Sequence, residues 1–171
     1  YSICSTPDCI PVIHSNWYPP IAVQEKNPQY AQLLMPDLAS AASEMTTVHT
    51  YLYQSWTIGN DYETIRCVIK RLAAVEQRHY AIIGQLIALL GGEPECRSTM
   101  NNSYWCGNMI NYSCDLRTLL SNNAKSECFA AQAYAEQSQE IKDPCVSKML
   151  ARLSLDEELH VQIFNDFLQQ I

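Results

Sequence analysis

Two stretches of this chain are built on one seam, 81 residues apart. Ile65, Ile69, Leu72, Glu76, His79, Ile83, Leu86 and Leu90 follow one another at alternating steps of four and three residues, and Val146, Leu150, Leu153, Glu157, His160, Phe164, Phe167 and Ile171 take the same steps. Such spacing returns to one side of an α-helix at every turn, so each stretch reads as a helix with a single face turned to a bundle core. Each seam is apolar except at two positions, and in both copies these are a Glu and, three residues on, a His. A second pair repeats at an offset of 83: Glu44, Val48, Tyr51, Ser55 and Ile58 against Glu127, Ala131, Tyr134, Ser138 and Ile141. The chain is two helix pairs, each bringing one Glu and then Glu-x-x-His, and its polar interruptions coincide.

The remaining sequence fits around these helices. Residues 1–27 hold Pro7, Pro11, Pro19 and Pro20 and show no helical period, which predicts an extended arm lying over the domain of residues 28–171. The first helix is expected over Pro36–Thr57, with a short lead-in at Gln29–Leu34. The second starts at an Asn60/Asp61 N-cap and runs to Leu90, where Gly91-Gly92 stops it. The third is expected over Asp115–Ile141, and the fourth from the Asp143 cap and Pro144 to Ile171. Gly91–Cys114 is long enough to cross from one helix pair to the other. No strand series is visible, so the expected class is all-α.

Composition limits the partners. At 171 residues, 47% hydrophobic and 17% charged, the chain is neither disordered nor short of a core. Its net charge is -7 and it has no Lys/Arg cluster, which argues against nucleic acid. The most apolar run, Ala81–Leu90, is broken by Gly84 and Gln85 and is too short to span a bilayer, so no membrane partner is expected. Eight cysteines fit either a disulfide framework or free thiols. If the protein matures in an oxidising place, disulfides are expected between Cys4 and Cys9 and among Cys96, Cys106 and Cys114, with none at Cys128, whose side chain is expected to be small and buried. The chain opens on Tyr1, so residues upstream are expected and no leader remains to fix the compartment. A bacterial cytoplasm is the expectation, with a spore-associated or extracellular setting as the alternative that the cysteines raise. Asn101-Asn102-Ser103 and Asn111-Tyr112-Ser113 fit the glycosylation triplet, which matters only on a eukaryotic secretory route.

The seam interruptions carry the chemistry. Four carboxylates and two imidazoles aimed into an apolar bundle need compensation, because one unpaired buried charge already costs several kcal/mol. Two divalent cations carry as much positive charge as Glu44, Glu76, Glu127 and Glu157 carry negative. Residues three apart share a helix face, so Glu76 with His79, and Glu157 with His160, can converge on one ion. This is the ligand pattern of dinuclear carboxylate sites in helix bundles, and its mixed oxygen and nitrogen donors suit iron or manganese. A coincidental polar layer is the competing reading. Without cations, burial and like charge should raise the carboxyl pKa values.

At Glu44 with Tyr51, Glu76-Gln77-Arg78-His79, Glu127 and Asp156-Glu157-Glu158-Leu159-His160, the chain resembles the ferritin-like superfamily, above all its rubrerythrin-type and bacterioferritin-type di-iron bundles. The resemblance covers about Pro28 to Ile171. It implies an antiparallel four-helix bundle with a long crossover, Glu44 and Glu127 as further ligands, and two iron or two manganese ions bridged by Glu76 and Glu157. Asp156 resembles the acid that holds a ligand imidazole in its tautomer, against the alternative of a solvated surface Asp. The ligand set is also similar to that of manganese catalases. Two departures stand out: Ala130 occupies the position where rubrerythrins carry an additional Glu, and the sequence has no Cys-x-x-Cys from which a rubredoxin module could be built.

Tyr51 and Tyr134 follow Glu44 and Glu127 by seven residues and can donate a hydrogen bond to a bridging carboxylate or pass an electron, the competing role being an ordinary core tyrosine. The expected function is redox chemistry with hydrogen peroxide or dioxygen, with an external electron donor where one is needed, in a homodimer or larger homo-oligomer. Two alternatives stand beside it: manganese catalase-like disproportionation of peroxide, and a coat-like structural protein cross-linked through cysteines that keeps the metal site.

Overall fold

Side-chain caps set most of the helix boundaries in the computed structural model, which describes residues 9–97 and 103–171. Helix α1 (Pro28–Leu38) starts where Asn27 Oδ1 accepts the N–H groups of Gln29 and Tyr30. Helix α2 (Glu44–Thr57) is capped by Ser43, whose hydroxyl accepts from Thr46 N–H. Helix α3 spans Glu63–Leu89. Helix α4 (Leu116–Glu140) is capped by Asp115 on Thr118, and helix α5 (Pro144–Gln170) by Asp143 on Cys145 and Val146. Among the described residues no strand forms beyond an isolated bridge between Arg97 and Tyr104, so the all-α expectation holds.

Two boundaries differ from expectation. The first helix is split: α1 ends at Leu38 and α2 begins at Glu44. Ser43 makes the break, donating to Ser40 O at 2.8 Å while capping α2, and Thr46 Oγ1 also donates to Ser40 O at 2.5 Å. Asn60 and Asp61 do not cap α3. They form one 3-10 turn ahead of it, and Asn60 Oδ1 instead accepts from Arg66 at 2.7 Å. The stop after α3 is as read, with Gly91 in the left-handed region at φ 88, where a side chain would be strained. Gly92 lets the chain close on α1, since a Cβ there would lie 2.7 Å from the Ala31 methyl.

Helix α2 packs on α3 and α4 on α5, with α1 against α3. Two apolar clusters fill the ends of the bundle. One gathers Leu34, Leu38, Ile83, Leu86, Leu150 and Leu153; the other gathers Ile65, Ile69, Leu72, Leu120, Phe164 and Phe167. The first half of α3 and the last half of α5 share one cluster, so these two helices run antiparallel. The Glu and His positions fall between the clusters, in a polar layer. The arm spans that layer from outside: Val12 is buried in one cluster, while Tyr18, Ile21 and Val23 lie against the other.

Among the described loop cysteines the free-thiol alternative holds, and Cys128 departs from the burial expected of it. Cys96, Cys106 and Cys114 are free thiols, as are Cys67, Cys128 and Cys145, and Cys128 is exposed. One residue is 100° of helix, which is enough to carry Cys128 off the buried stripe of Glu127. Cys4 and most of the Asn101 triplet lie outside the described residues. No described helix is long and apolar enough to cross a membrane.

A reciprocal amide pair joins α2 to α4: Gln54 Nε2 donates to Asn123 Oδ1 at 3.0 Å, and Asn123 Nδ2 to Gln54 Oε1 at 2.7 Å, both residues buried. Asn123→Ala should destabilise the fold by about 1–3 kcal/mol in denaturant unfolding, because the Gln54 amide is left buried without a partner. The double replacement of Gln54 and Asn123 by Leu should recover most of that loss. A single variant as stable as the parent would contradict the pairing.

Candidate metal centre

Helices α2, α3, α4 and α5 each deliver one Glu to the polar layer, and α3 and α5 each add a His one turn later. Glu44, Glu76, His79, Glu127, Glu157 and His160 are all buried. The two imidazoles are stacked, with centroids 6.2 Å apart and planes 17° from parallel. Glu76 and Glu157 stand between them and divide their oxygens. Glu76 places Oε2 3.2 Å from His79 Nδ1 and Oε1 2.8 Å from His160 Nδ1. Glu157 places Oε1 2.9 Å from His79 Nδ1 and Oε2 3.1 Å from His160 Nδ1. Glu44 Oε1 lies 4.0 Å from His79 Nδ1, and Glu127 Oε2 lies 3.8 Å from His160 Nδ1. Two overlapping groups result, Glu44-Glu76-His79-Glu157 and Glu76-Glu127-Glu157-His160, each with its donor atoms within 4.8 Å of one another.

The outer nitrogens of the imidazoles fix which nitrogen faces inward. His160 Nε2 lies 3.0 Å from the Val12 carbonyl, which can only accept, so Nε2 carries the hydrogen. His79 Nε2 lies 3.1 Å from Asp156 Oδ2, with the Tyr18 hydroxyl 3.3 Å away. Tyr18 donates to the same Asp156 oxygen, His14 N–H donates to Asp156 Oδ1 at 2.6 Å, and Arg152 Nη1 pairs with that oxygen at 2.9 Å. Burial pushes the Asp156 carboxyl up, but the hydrogen bonds from His79, Tyr18 and His14 outweigh it and hold the carboxyl well below its usual range. Both His Nδ1 atoms are left to the centre.

Charge inside the layer is shared unevenly. Burial, reinforced by Glu76, raises Glu44 well above the ordinary carboxyl value, and burial with Glu157 raises Glu127 to about 7. Glu76 and Glu157 depart from the expectation of four raised carboxyls. Burial pushes both up, as do Glu127 on Glu76 and Glu76 on Glu157, but the two imidazoliums bring them below the usual value. Burial opposes charge on both imidazoles, yet the surrounding carboxylates hold His79 and His160 well above 6.5. Protons thus do the compensating where cations are not bound.

The donor set fits a pair of cations. Glu76 Oε1, His79 Nδ1 and Glu157 Oε1 are buried and make no hydrogen bond, although each lies within 2.9 Å of an opposite group. Their alignment fails for hydrogen bonding and suits atoms that share a third partner. Oxygen and imidazole donors with no thiolate suit iron or manganese.

Tyr51 and Tyr134 reach across the bundle. Tyr51 donates to Glu127, and Tyr134 to Glu44, so each holds a carboxylate of the opposite pair and neither touches Glu76 or Glu157. The expected bond to a bridging carboxylate is therefore corrected. Burial and the adjacent carboxylate raise both phenols well above 10, so they stay protonated and donate. Sequence reading missed Val12, Tyr18 and Arg152: the bonds from Val12 to His160 and from Tyr18 to Asp156 span 148 and 138 residues, and Arg152 reaches the Asn16 and His14 carbonyls of the arm across 136 and 138. It also passed over Asp37, which lines the same cavity as Glu44, Glu76 and Glu157. Ala130 lines that cavity too.

Comparison with known proteins agrees with this architecture. A family profile described as Ferritin-like matches residues 38–162. A probable manganese catalase of Clostridium acetobutylicum is 25% identical over 88% of this chain and 75% of its own length. Among solved structures, KatB, a manganese catalase from Anabaena, superimposes with a TM-score of 0.79 at 22% identity, covering 92% of this chain and 80% of that one. The bacterioferritin of Desulfovibrio desulfuricans, described with a diiron site, gives a TM-score of 0.70 at 20% identity over 84% of this chain and 80% of that one.

The metal-free protein should lose stability as pH rises. A raised folded-state pKa contributes stability below the unfolded value and loses it as pH climbs through the folded one. Glu44, Glu127, His79 and His160 all carry that sign. Glu76 and Glu157 carry the opposite sign, but their contribution is lost only as pH falls below the ordinary carboxyl range. Melting of the chelator-treated protein should therefore come at a lower temperature at about pH 8.5 than at about pH 5.5. Manganese should raise the melting temperature more at the higher pH, since its ligands must shed protons. Equal metal effects at both values would contradict a buried, proton-compensated centre.

Proposed function

The chain belongs to the ferritin-like family, and on that premise we propose that it holds two manganese or iron ions and disproportionates hydrogen peroxide. The observation that carries this reading is the division of oxygens at Glu76 and Glu157, one toward each imidazole Nδ1. Glu44 and His79 would complete one ion's ligands, Glu127 and His160 the other's. Bound there, such a pair supplies the exchange of two electrons with peroxide. One peroxide is reduced to two waters while a second is oxidised to dioxygen. Two electrons and two protons pass between them, and no outside reductant is consumed. The likeness to manganese catalases supports this choice of substrate.

The chain's own groups hold the geometry and the protons. Asp156 and the Val12 carbonyl keep the hydrogens of His79 and His160 on Nε2, leaving each Nδ1 free for an ion. Tyr51 and Tyr134 fix the rotamers of Glu127 and Glu44 through phenols that stay protonated. Asp37, which accepts from Gln137 Nε2 at 2.8 Å, is pushed by burial up to about 7, so its carboxyl can take up and return a proton near neutrality. The apolar clusters above and below keep bulk water out of the layer.

A second reading is favoured by the likeness to bacterioferritin: oxidation of ferrous iron, with electrons arriving from outside and dioxygen or peroxide accepting them. Dioxygen measurements separate the two. Manganese-loaded protein should release dioxygen from hydrogen peroxide, and Glu76→Gln should abolish the release. Tyr51→Phe should keep both ions and lower the rate by about ten- to a hundredfold. Unchanged release from Glu76→Gln would overturn the proposal. Dioxygen consumption by the ferrous form, with no release by the manganese form, would establish the second reading in its place.

A further inference from the structure

We propose that the cleft between α2 and α4 is the passage by which the oxidant reaches the centre, and that Ala130 and Ala133 set the size of what can pass. The inference rests on the peroxide reading and names what that site admits. The cavity is floored by the buried carboxylates Glu44, Glu76, Glu127 and Glu157, which come from all four helices of the centre. Its walls include Ala42, Ser126, Ala130 and Ala133, and Phe129 stands at the rim, 61% exposed. Buried carboxylates at the bottom of a cleft with an exposed rim mark the direction from which a ligand arrives.

The opposite approach, behind the imidazoles, is covered by the arm, and the cavity on that side, lined by Ile13, Asn16, Tyr18 and Arg78, has none of the six candidate ligands in its walls. There the arm lies across the bundle, with Val12 bonded to His160 and Tyr18 bonded to Asp156. The Arg78 and Arg152 guanidiniums lie 4.0 and 4.1 Å from the Tyr18 ring centre. Arg152 also donates to the Asn16 and His14 carbonyls at 2.7 and 3.0 Å. The cavity has a volume of about 20 Å³, little more than a single water needs, so it is narrow. Slender molecules such as hydrogen peroxide, dioxygen and azide suit so narrow a space; a tert-butyl hydroperoxide does not. The small walls decide it, because a methyl at 130 or 133 replaced by a branched chain would occupy the space itself.

The test uses the full chain loaded with manganese, as the parent and as Ala130→Leu, Ala133→Leu and Ala130→Ser. Metal content, melting temperature, the association rate of azide followed spectroscopically, and kcat/KM for hydrogen peroxide are measured together. Both Leu variants should retain two ions per chain, while azide association and kcat/KM fall in parallel by about tenfold or more. Ala130→Ser should match the parent, and tert-butyl hydroperoxide should not be turned over by any form. Parent-like azide association in a Leu variant holding two ions would overturn the passage, as would turnover of tert-butyl hydroperoxide at a rate near that of peroxide. Should Ala130→Leu fail to fold, Ala133→Leu and Ser126→Val probe the same wall. Azide association that follows the substitutions without any peroxide turnover would leave the passage standing and remove the peroxide reading.

Discussion

Four carboxylates and two imidazoles packed within a few ångströms of one another, away from water, are the constraint that the rest of this chain answers. Each such charge costs several kcal/mol to bury unpaired, and like charges add to that cost. The chain keeps the layer in place with an apolar cluster on either side, so opening the layer to water means exposing both. It then balances the layer with protons on His79 and His160, or with cations in their stead. The same arrangement that strains the metal-free protein is what would favour a pair of divalent ions.

Inside the layer the two helix pairs are near copies, but outside it they are not. His160 is held by a neutral backbone carbonyl of the arm, whereas His79 is held by Asp156, itself bound by Tyr18, His14 and Arg152. The arm therefore does more than cover the bundle. It completes the hydrogen bonding of both imidazoles and covers one side of the centre, which leaves the α2–α4 face for exchange with solvent. A duplicated interior enclosed by a single-copy arm gives the site a front and a back.

The parts legible in sequence are those that burial forces into a period. Every member of the paired α3 and α5 seams except Ile171 is buried, and the four polar positions among them, Glu76, His79, Glu157 and His160, are brought together here with Glu44 and Glu127 of the second repeat. Caps that agree with the period, at Asp115, Asp143 and Gly91, were equally readable. The break at Ser43 was not, because the apolar spacing runs on through it and only a local serine turn interrupts the helix. Tyr51 and Tyr134 were found, but their partners were not, since sequence spacing along one helix says nothing about which neighbour a long side chain reaches. Val12 and Tyr18 lie in an arm without periodicity, and their bonds span 148 and 138 residues, which leave no mark on any local pattern.

The central claim is that two cations sit between Glu76 and Glu157, one beside each imidazole. Anomalous X-ray diffraction from crystals of the manganese-loaded protein tests it most directly. The account predicts two anomalous peaks a few ångströms apart, each bonded to one oxygen of Glu76 and one of Glu157, with His79 Nδ1 on one and His160 Nδ1 on the other. A single peak, or metal bound only at surface carboxylates or cysteines with the layer still compensated by protons, would contradict it.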